Sequence, residues 1–274
     1  MANGWAAPSA QPLSGGAVNT VLRLRNAAGQ TVIAKCAVDV PAMLFAAEAN
    51  GLQTLEATGT VLVPAVLALS ANYLILADLG SSDHERLDWA GLGRQVAELH
   101  GYTAPRFGAD RDNYLGMLPQ RNPWTDDGHE FFVQHRLLRY LDEPLVAAAL
   151  TTADRRRLQV LAERLPQLIP DDRPALLHGD LWSGNIVGND RFAAVIDPAV
   201  YFGWPEAELS MLWCCGNADA RFFDAYLEVH PLEPGWQERM PLLHLRELLS
   251  VLAHFGQRYA VLPEIREVLS RFVD

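Results

Sequence analysis

Cysteine, positive charge and long apolar runs are all scarce in this chain of 274 residues. The three cysteines are Cys36, Cys214 and Cys215. An odd number that includes an adjacent pair makes a poor disulfide framework, because neighbouring cysteines close a bridge only with strain. They read as small buried hydrophobes in a reducing cytosol. Lys and Arg together number 22 against 33 Asp and Glu, a net charge of −11. That balance argues against nucleic acid and anionic membranes as partners, and it suits cationic or neutral substrates. No stretch approaches the roughly 20 apolar residues that cross a bilayer. The longest, Val61 to Leu69, is interrupted by Pro64. Met1 to Pro12 has neither a basic start nor an apolar core, so it does not read as a signal peptide. The expectation is a soluble, cytoplasmic protein. His-Glu-x-x-His and Cys-x-x-Cys are missing too, which removes the usual zinc spacings. There is no repeat and no low-complexity linker, and Arg155-Arg156-Arg157 reads as a solvated helix face.

What is present is a core-forming chain, 50% hydrophobic, long enough for one large domain or two moderate lobes. Its most informative stretch is Leu176-Leu177-His178-Gly179-Asp180-Leu181-Trp182-Ser183-Gly184-Asn185-Ile186-Val187. The stretch starts apolar, turns polar around one carboxylate, places an amide five positions later and becomes apolar again. A turn at Gly188 to Arg191 leads to a second apolar run, Phe192 to Ile196, which ends in Asp197-Pro198. This pattern predicts two short buried strands flanking a loop, with Asp180, Asn185 and Asp197 at one mouth. Phosphoryl transfer needs that set: one carboxylate orients a hydroxyl and takes its proton, while an amide oxygen and a second carboxylate hold Mg2+ on the phosphates of ATP. The spacing matches the kinase catalytic loop, with Gly179 in place of the arginine of protein kinases.

Upstream, Val21 to Arg25 and Thr31 to Cys36 predict a hairpin. Before it, Gly15 and Gly16 would let backbone N–H groups approach a phosphate, and Lys35 lies on the return strand, where a kinase holds its phosphate-pairing lysine. Pro41 to Thr58 predicts a helix that ends at Gly59. Val61 to Val66 and Tyr73 to Leu79 predict further strands. Leu87 to His100, Glu130 to Leu141, and two stretches around Gly256 predict helices, and Phe107 to Asn122 has the composition of a loop.

His178-Gly179-Asp180-Leu181-Trp182-Ser183-Gly184-Asn185 resembles the fructosamine kinase (ketosamine-3-kinase) family, and the resemblance extends from Gly15 to Tyr259. It implies an α+β, protein-kinase-like fold with two lobes. Residues 1–80 would form an antiparallel N-terminal lobe with one helix, and residues 81–274 a mostly helical C-terminal lobe. The resemblance implies that Glu48 pairs with Lys35, that backbone groups at Ala77 and Leu79 meet adenine, and that Asn185 and Asp197 hold Mg2+. Asp180 would be the base, and Glu208 would brace the catalytic loop. The segment Phe107 to Asn122 would shape the substrate side of the cleft, with Trp182, Trp204 and His254 as candidate acceptor contacts. His254 has an alternative reading as a satisfied core histidine. Trp204 and Pro205 stand where the family carries a histidine and an arginine, and Ala17 stands where it often carries a cysteine. The implied reaction is ATP-dependent phosphorylation of a ketosamine, a sugar joined to an amine that is either a small molecule or part of a protein, leading to deglycation. Two alternatives stay open: an aminoglycoside or amino-alcohol phosphotransferase, and a nucleotide-binding pseudokinase. Because Gly179 removes the arginine that pairs with a loop phosphate in many protein kinases, phosphatase-treated protein is expected to turn over as fast as untreated protein. A large loss in that assay would overturn the expectation.

Overall fold

The computed structural model describes residues 9–13, 20–80, 82–215 and 218–273. The chain begins with β1 (Ser9–Pro12), β2 (Thr20–Arg25), β3 (Thr31–Cys36), α1 (Leu44–Thr58), β4 (Val66–Leu69) and β5 (Tyr73–Ala77). The five strands make one antiparallel sheet in the order β1-β2-β3-β5-β4, so β3 is central. The β2–β3 turn is closed by Asn26, whose side-chain oxygen accepts from the N–H groups of Ala28 (3.1 Å) and Gln30 (2.9 Å), with Gly29 at φ 83°. Helix α1 stops at Gly59, which takes the left-handed conformation. Phe45, Leu52 and Leu55 of α1 are buried with Leu74 and Leu76 of β5 in a continuous core.

The rest is largely helical. In order come α2 (Trp89–Leu99), the small hairpin β6 (Asn113–Leu115) and β7 (Leu118–Gln120), α3 (Gly128–Phe132), α4 (Pro144–Ala149) and α5 (Thr152–Leu168). They are followed by β8 (Ala175–Leu177), β9 (Ile186–Asn189), β10 (Phe192–Val195), β11 (Tyr201–Gly203), α6 (Pro205–Cys214), α7 (Ala220–Val229), α8 (Trp236–Leu243), α9 (Leu245–Phe255) and α10 (Leu262–Val273). β8 and β9 flank the loop that bears Asp180; β9 pairs with β10, which ends at Val195 just before Asp197, and β8 pairs with β11. Asp88 starts α2 by accepting from the N–H of Gly91 at 2.9 Å. All three cysteines are free thiols, and no helix among the described residues is long and apolar enough to cross a membrane.

Three elements differ from the sequence expectations. The strand expected over Val61 to Val66 begins only at Val66. Pro64 cannot donate a ladder hydrogen bond, and Leu62 instead forms a parallel bridge with Ala194. The segment Phe107 to Asn122 holds the β6–β7 hairpin. The helix expected over Glu130 to Leu141 is α-helical only to Phe132, then widens into a π turn over Val133–Leu137 and tightens over Leu138–Asp142. Arg136, on the π turn, is 1% exposed and stacks on Tyr201 and Phe131, with its guanidinium carbon 3.9 Å and 4.5 Å from the ring centres.

Helix α5 opens with a capping box: Thr151 Oγ1 accepts from the N–H of Asp154 (3.2 Å), and Asp154 Oδ2 accepts from the N–H of Thr151 (3.0 Å). Arg266 of α10 donates to the same carboxylate at 2.9 Å. Arg266 chiefly, joined by the Thr151 hydroxyl and N–H, holds the Asp154 carboxyl down at about 2 against the opposing effect of burial. A depressed carboxyl stabilises the fold fully above its unfolded value of about 3.9, and that contribution disappears as pH falls through about 2. Asp154→Ala is therefore expected to destabilise by about 1–2 kcal/mol at pH 7, the usual scale for a lost cap. Its melting temperature should converge on that of the parent near pH 2, and thermal unfolding by circular dichroism at several pH values checks this.

Candidate active site

Lys35, the only lysine of the chain, projects from the central strand β3 and is 4% exposed. Its Nζ donates to Glu48 Oε1 on α1 at 2.7 Å and to Asp197 Oδ1 after β10. Burial alone would lower the ammonium's pKa, but the two carboxylates outweigh it and raise the pKa, so Lys35 is charged. Burial pushes Glu48 up to about 7 against the pull of Lys35. Gly51 lets α1 come down on the Asp197 turn, since a Cβ there would lie 3.0 Å from Pro198 Cγ.

On the other side, the catalytic loop is anchored by Glu208 of α6. Its carboxylate accepts from the N–H groups of His178 (3.1 Å) and Gly179 (2.6 Å). His100 Nε2 donates to it at 3.0 Å, and His100 Nδ1 takes the Tyr226 hydroxyl at 2.7 Å. Burial would raise Glu208, but the His100 hydrogen bond and charge hold it below its ordinary value. His178 donates from Nε2 to Ile196 O (2.9 Å) and accepts the Asp180 N–H at Nδ1 (3.3 Å), so its two ring nitrogens fix both sides of the mouth. Asn185 Nδ2 donates to Asp180 Oδ2 (2.8 Å) and Asp180 O (2.9 Å). Burial pushes the Asp180 carboxyl up to about 7, reinforced by Asp197 and opposed by Arg246 and Asn185.

A cleft of about 470 Å³ opens between the sheet and this loop. Lys35, Ala77, Leu79, Trp182, Asn185 and Asp197 all line it. The Ala77 N–H is engaged by Ala65 O at 2.9 Å. Arg23 fastens the adjoining turn through Asp78 (3.0 Å) and Gly80 O (2.8 Å). Gly15 and Gly16 lie outside the described residues. The donor set fits magnesium. Asn185 has its amide nitrogen tied to Asp180, which leaves its oxygen for a cation, and the Asp197 side chain is 40% exposed. No group of three or more His, Cys, Asp or Glu among the described residues forms a self-contained metal cage. Magnesium on a nucleotide needs only one or two carboxylate-type ligands besides phosphate and water.

Two candidate acceptor contacts are corrected. Trp204 is 3% exposed and packs against Phe107, His129 and Phe132, so it has no face to offer a sugar. His254 donates from Nδ1 to Ser250 O (2.8 Å) and accepts the Met117 N–H at Nε2 (3.2 Å). Both nitrogens are occupied by the chain's own backbone, so the half-buried ring has no ring nitrogen left for an acceptor. Trp182, by contrast, is 39% exposed in the cleft. The segment expected to shape the substrate side lines a second cavity of about 690 Å³ with the outer face of α1, including Ala47 and Asn50, and does not include Asp180.

The fructosamine kinase family profile matches residues 2–272. The chain belongs to the fructosamine kinase family. A probable ketoamine kinase of Synechocystis sp. is 36% identical over 227 residues, covering 79% of this chain and 75% of that protein. A chloroplastic protein-ribulosamine 3-kinase of Arabidopsis thaliana is 34% identical, covering 90% of this chain and 78% of that protein. A crystal structure assigned to a Thermobifida fusca fructosamine-3-kinase superposes with a TM-score of 0.84 at 33% identity, covering 96% of this chain and 93% of that one. An aminoglycoside phosphotransferase, at 12% identity and a TM-score of 0.64 over 97% of this chain and 94% of that chain, shares the fold alone. The fold is thus the α+β, protein-kinase-like one, with a sheet-bearing N-terminal part and a helical C-terminal part.

Three residues around this site escape a reading of the sequence: His100, which backs Glu208, and Gln120 and Arg246, which meet beneath the loop. They sit at the end of α2, at the end of β7 and in α9, where the local pattern is complete without them. Gly179 is legible only as a substitution, yet it has φ 85°, and a Cβ there would lie 2.1 Å from Ala199 O. Gly29 has a similar φ of 83° with nothing nearby. Gly29→Ala is expected to cost about 1–2 kcal/mol, the penalty of the left-handed region alone. Gly179→Ala should cost about 3 kcal/mol or more, because backbone must also move. Urea unfolding of the two variants makes the comparison, and equal costs would contradict it.

Proposed function

We propose that the protein transfers the terminal phosphoryl group of ATP to a sugar hydroxyl of a ketosamine, releasing the amine from glycation downstream. The observation that carries this reading is the convergence of Lys35, Glu48 and Asp197 with the Asp180–Asn185 pair at one mouth, in a chain of this family. In this reading residues 1–80 hold the nucleotide and residues 81–274 carry the acceptor machinery. The Ala77 carbonyl and the Leu79 N–H take the adenine edge, the Gly15-Gly16 backbone covers the phosphates, and Lys35, oriented by Glu48, grips them. Asn185 and Asp197 would hold Mg2+, which when bound neutralises phosphate charge and keeps the reacting phosphoryl in line. Asp180 has one carboxylate oxygen fixed by Asn185, so the other is directed to the acceptor hydroxyl, which it orients and deprotonates as transfer proceeds. Exclusion of water by the cleft and fixed orientation supply most of the remaining rate.

Trp182 offers a flat apolar face beside Asp180 for a sugar ring. The net charge of −11 favours acceptors whose amine portion stays positive, whether the amine is free or part of a protein. The nucleotide requirement supports a cytoplasmic setting. Initial rates with the ketosamine of free lysine, its neutral amide analogue and kanamycin test the proposal. The cationic ketosamine is expected to give the highest kcat/KM, and efficient kanamycin turnover without ketosamine activity would overturn it. Asp180→Asn should lower kcat by about 10²–10⁴-fold, the contribution of a positioned base, with nucleotide affinity nearly unchanged. A near-parental rate would remove Asp180 from the role of base.

A further inference from the structure

Helix α9 turns one cation inward beneath the catalytic loop. Arg246 is 3% exposed and is neutralised by its neighbour Glu247. One terminal nitrogen, Nη2, donates both to Gly179 O (2.9 Å) and to Gln120 Oε1 (2.8 Å). The Gln120 amide in turn donates to Ala199 O at 3.1 Å and to Asn113 Oδ1 at 2.8 Å, and Asn113 donates to Val200 O at 2.8 Å. Gly179 immediately precedes Asp180, and Ala199 and Val200 follow shortly after Asp197. A single guanidinium therefore bears directly on the peptide before one aspartate and, after the other, through one amide on Ala199 O and through a second on Val200 O.

Gly179 needs such restraint. It has no Cβ and sits at φ 85°, where the backbone has few steric walls of its own. Its N–H is held by Glu208 at 2.6 Å and its carbonyl by Arg246 at 2.9 Å. Both backbone polar groups of this residue, one in each of its two flanking peptides, thus meet charged side chains, and charge-assisted hydrogen bonds are the strong, directional ones. We propose that Arg246 is a positioning residue for phosphoryl transfer, fixing the Gly179 peptide and hence the direction of the Asp180 carboxylate relative to Asp197. The inference rests on Asp180 acting as the base. It does not depend on which alcohol is phosphorylated.

The test compares Arg246→Lys and Gln120→Leu with the parent, using whichever acceptor of the panel above the parent phosphorylates. Failure of the ketosamine reading and failure of this inference are then separate results. Lysine keeps the charge but has a single nitrogen, whereas the guanidinium places Nη1 on Glu247 and Nη2 on Gly179 O and Gln120 Oε1. Arg246→Lys is expected to lower kcat by about 10–100-fold, the scale of a small misplacement of reacting groups, with KM for ATP within about two-fold. Gln120→Leu should show a smaller loss of the same kind. In an Asp180→Asn background, Arg246→Lys should cost less than about three-fold, because residues that act as a unit are not additive. Added guanidinium should restore part of the kcat of Arg246→Ala, whereas ammonium should not. The same fold-loss in both backgrounds, or a parental kcat for Arg246→Lys, would overturn the proposal.

Discussion

The buried carboxylate of Glu208 is the constraint on which the catalytic loop depends. It accepts from two successive backbone N–H groups, those of His178 and Gly179, and no other arrangement in the loop pairs them. A carboxylate taking several hydrogen bonds in a dry interior stays ionised only if they outweigh its desolvation, and here His100 tips the balance. Kinase folds commonly use the shorter aspartate at this place, and the chain accommodates the extra methylene by backing Glu208 with the His100–Tyr226 pair. The backbone just before Asp180 is therefore held from one side by α6, backed by the His100–Tyr226 pair, and none of these residues lines the cleft.

Lys35 joins the two parts of the molecule in a different way. Its partners Glu48 and Asp197 lie on α1 and after β10, separated by most of the chain. Removing Lys35 would leave the buried Glu48 carboxylate without its cation, which is far more costly than never having built the pair. The close seating of Gly51 on Pro198 shows that packing reinforces the charge contact. Sheet, helix and the Asp197 turn are thus tied to one another by both charge and packing.

Much of this was legible in the sequence because it is local. The His178 to Asn185 stretch, Asp197, Lys35 and Glu48 are specified by spacing and residue type, and the structure brings them to one mouth. Exposure of aromatic rings was not legible. Trp182 and Trp204 both sit in turns, and only tertiary packing against Phe107, His129 and Phe132 decides that the second is interior. His254 has all its hydrogen-bonding capacity taken by Ser250 and Met117, and the second partner is remote in the chain. Arg246 lies between leucines on an otherwise apolar helix face, where a cation ordinarily reads as solvent-facing. Its buried partners, Gln120 and the Gly179 carbonyl, come from elements that no periodicity connects to α9. The π turn that lets Arg136 fold inward leaves no signature in composition either.

The solitary lysine has a chemical corollary outside catalysis. Sugars condense with unprotonated amines, and Lys35 is charged, 4% exposed and held by two carboxylates. Every other strongly basic side chain in the chain is an arginine, whose guanidinium stays protonated and does not form a ketosamine. Apart from the α-amino group, the surface offers no primary amine to a reducing sugar. A catalyst for removing sugar from amines would then work among sugars without its own side chains joining the pool of substrate.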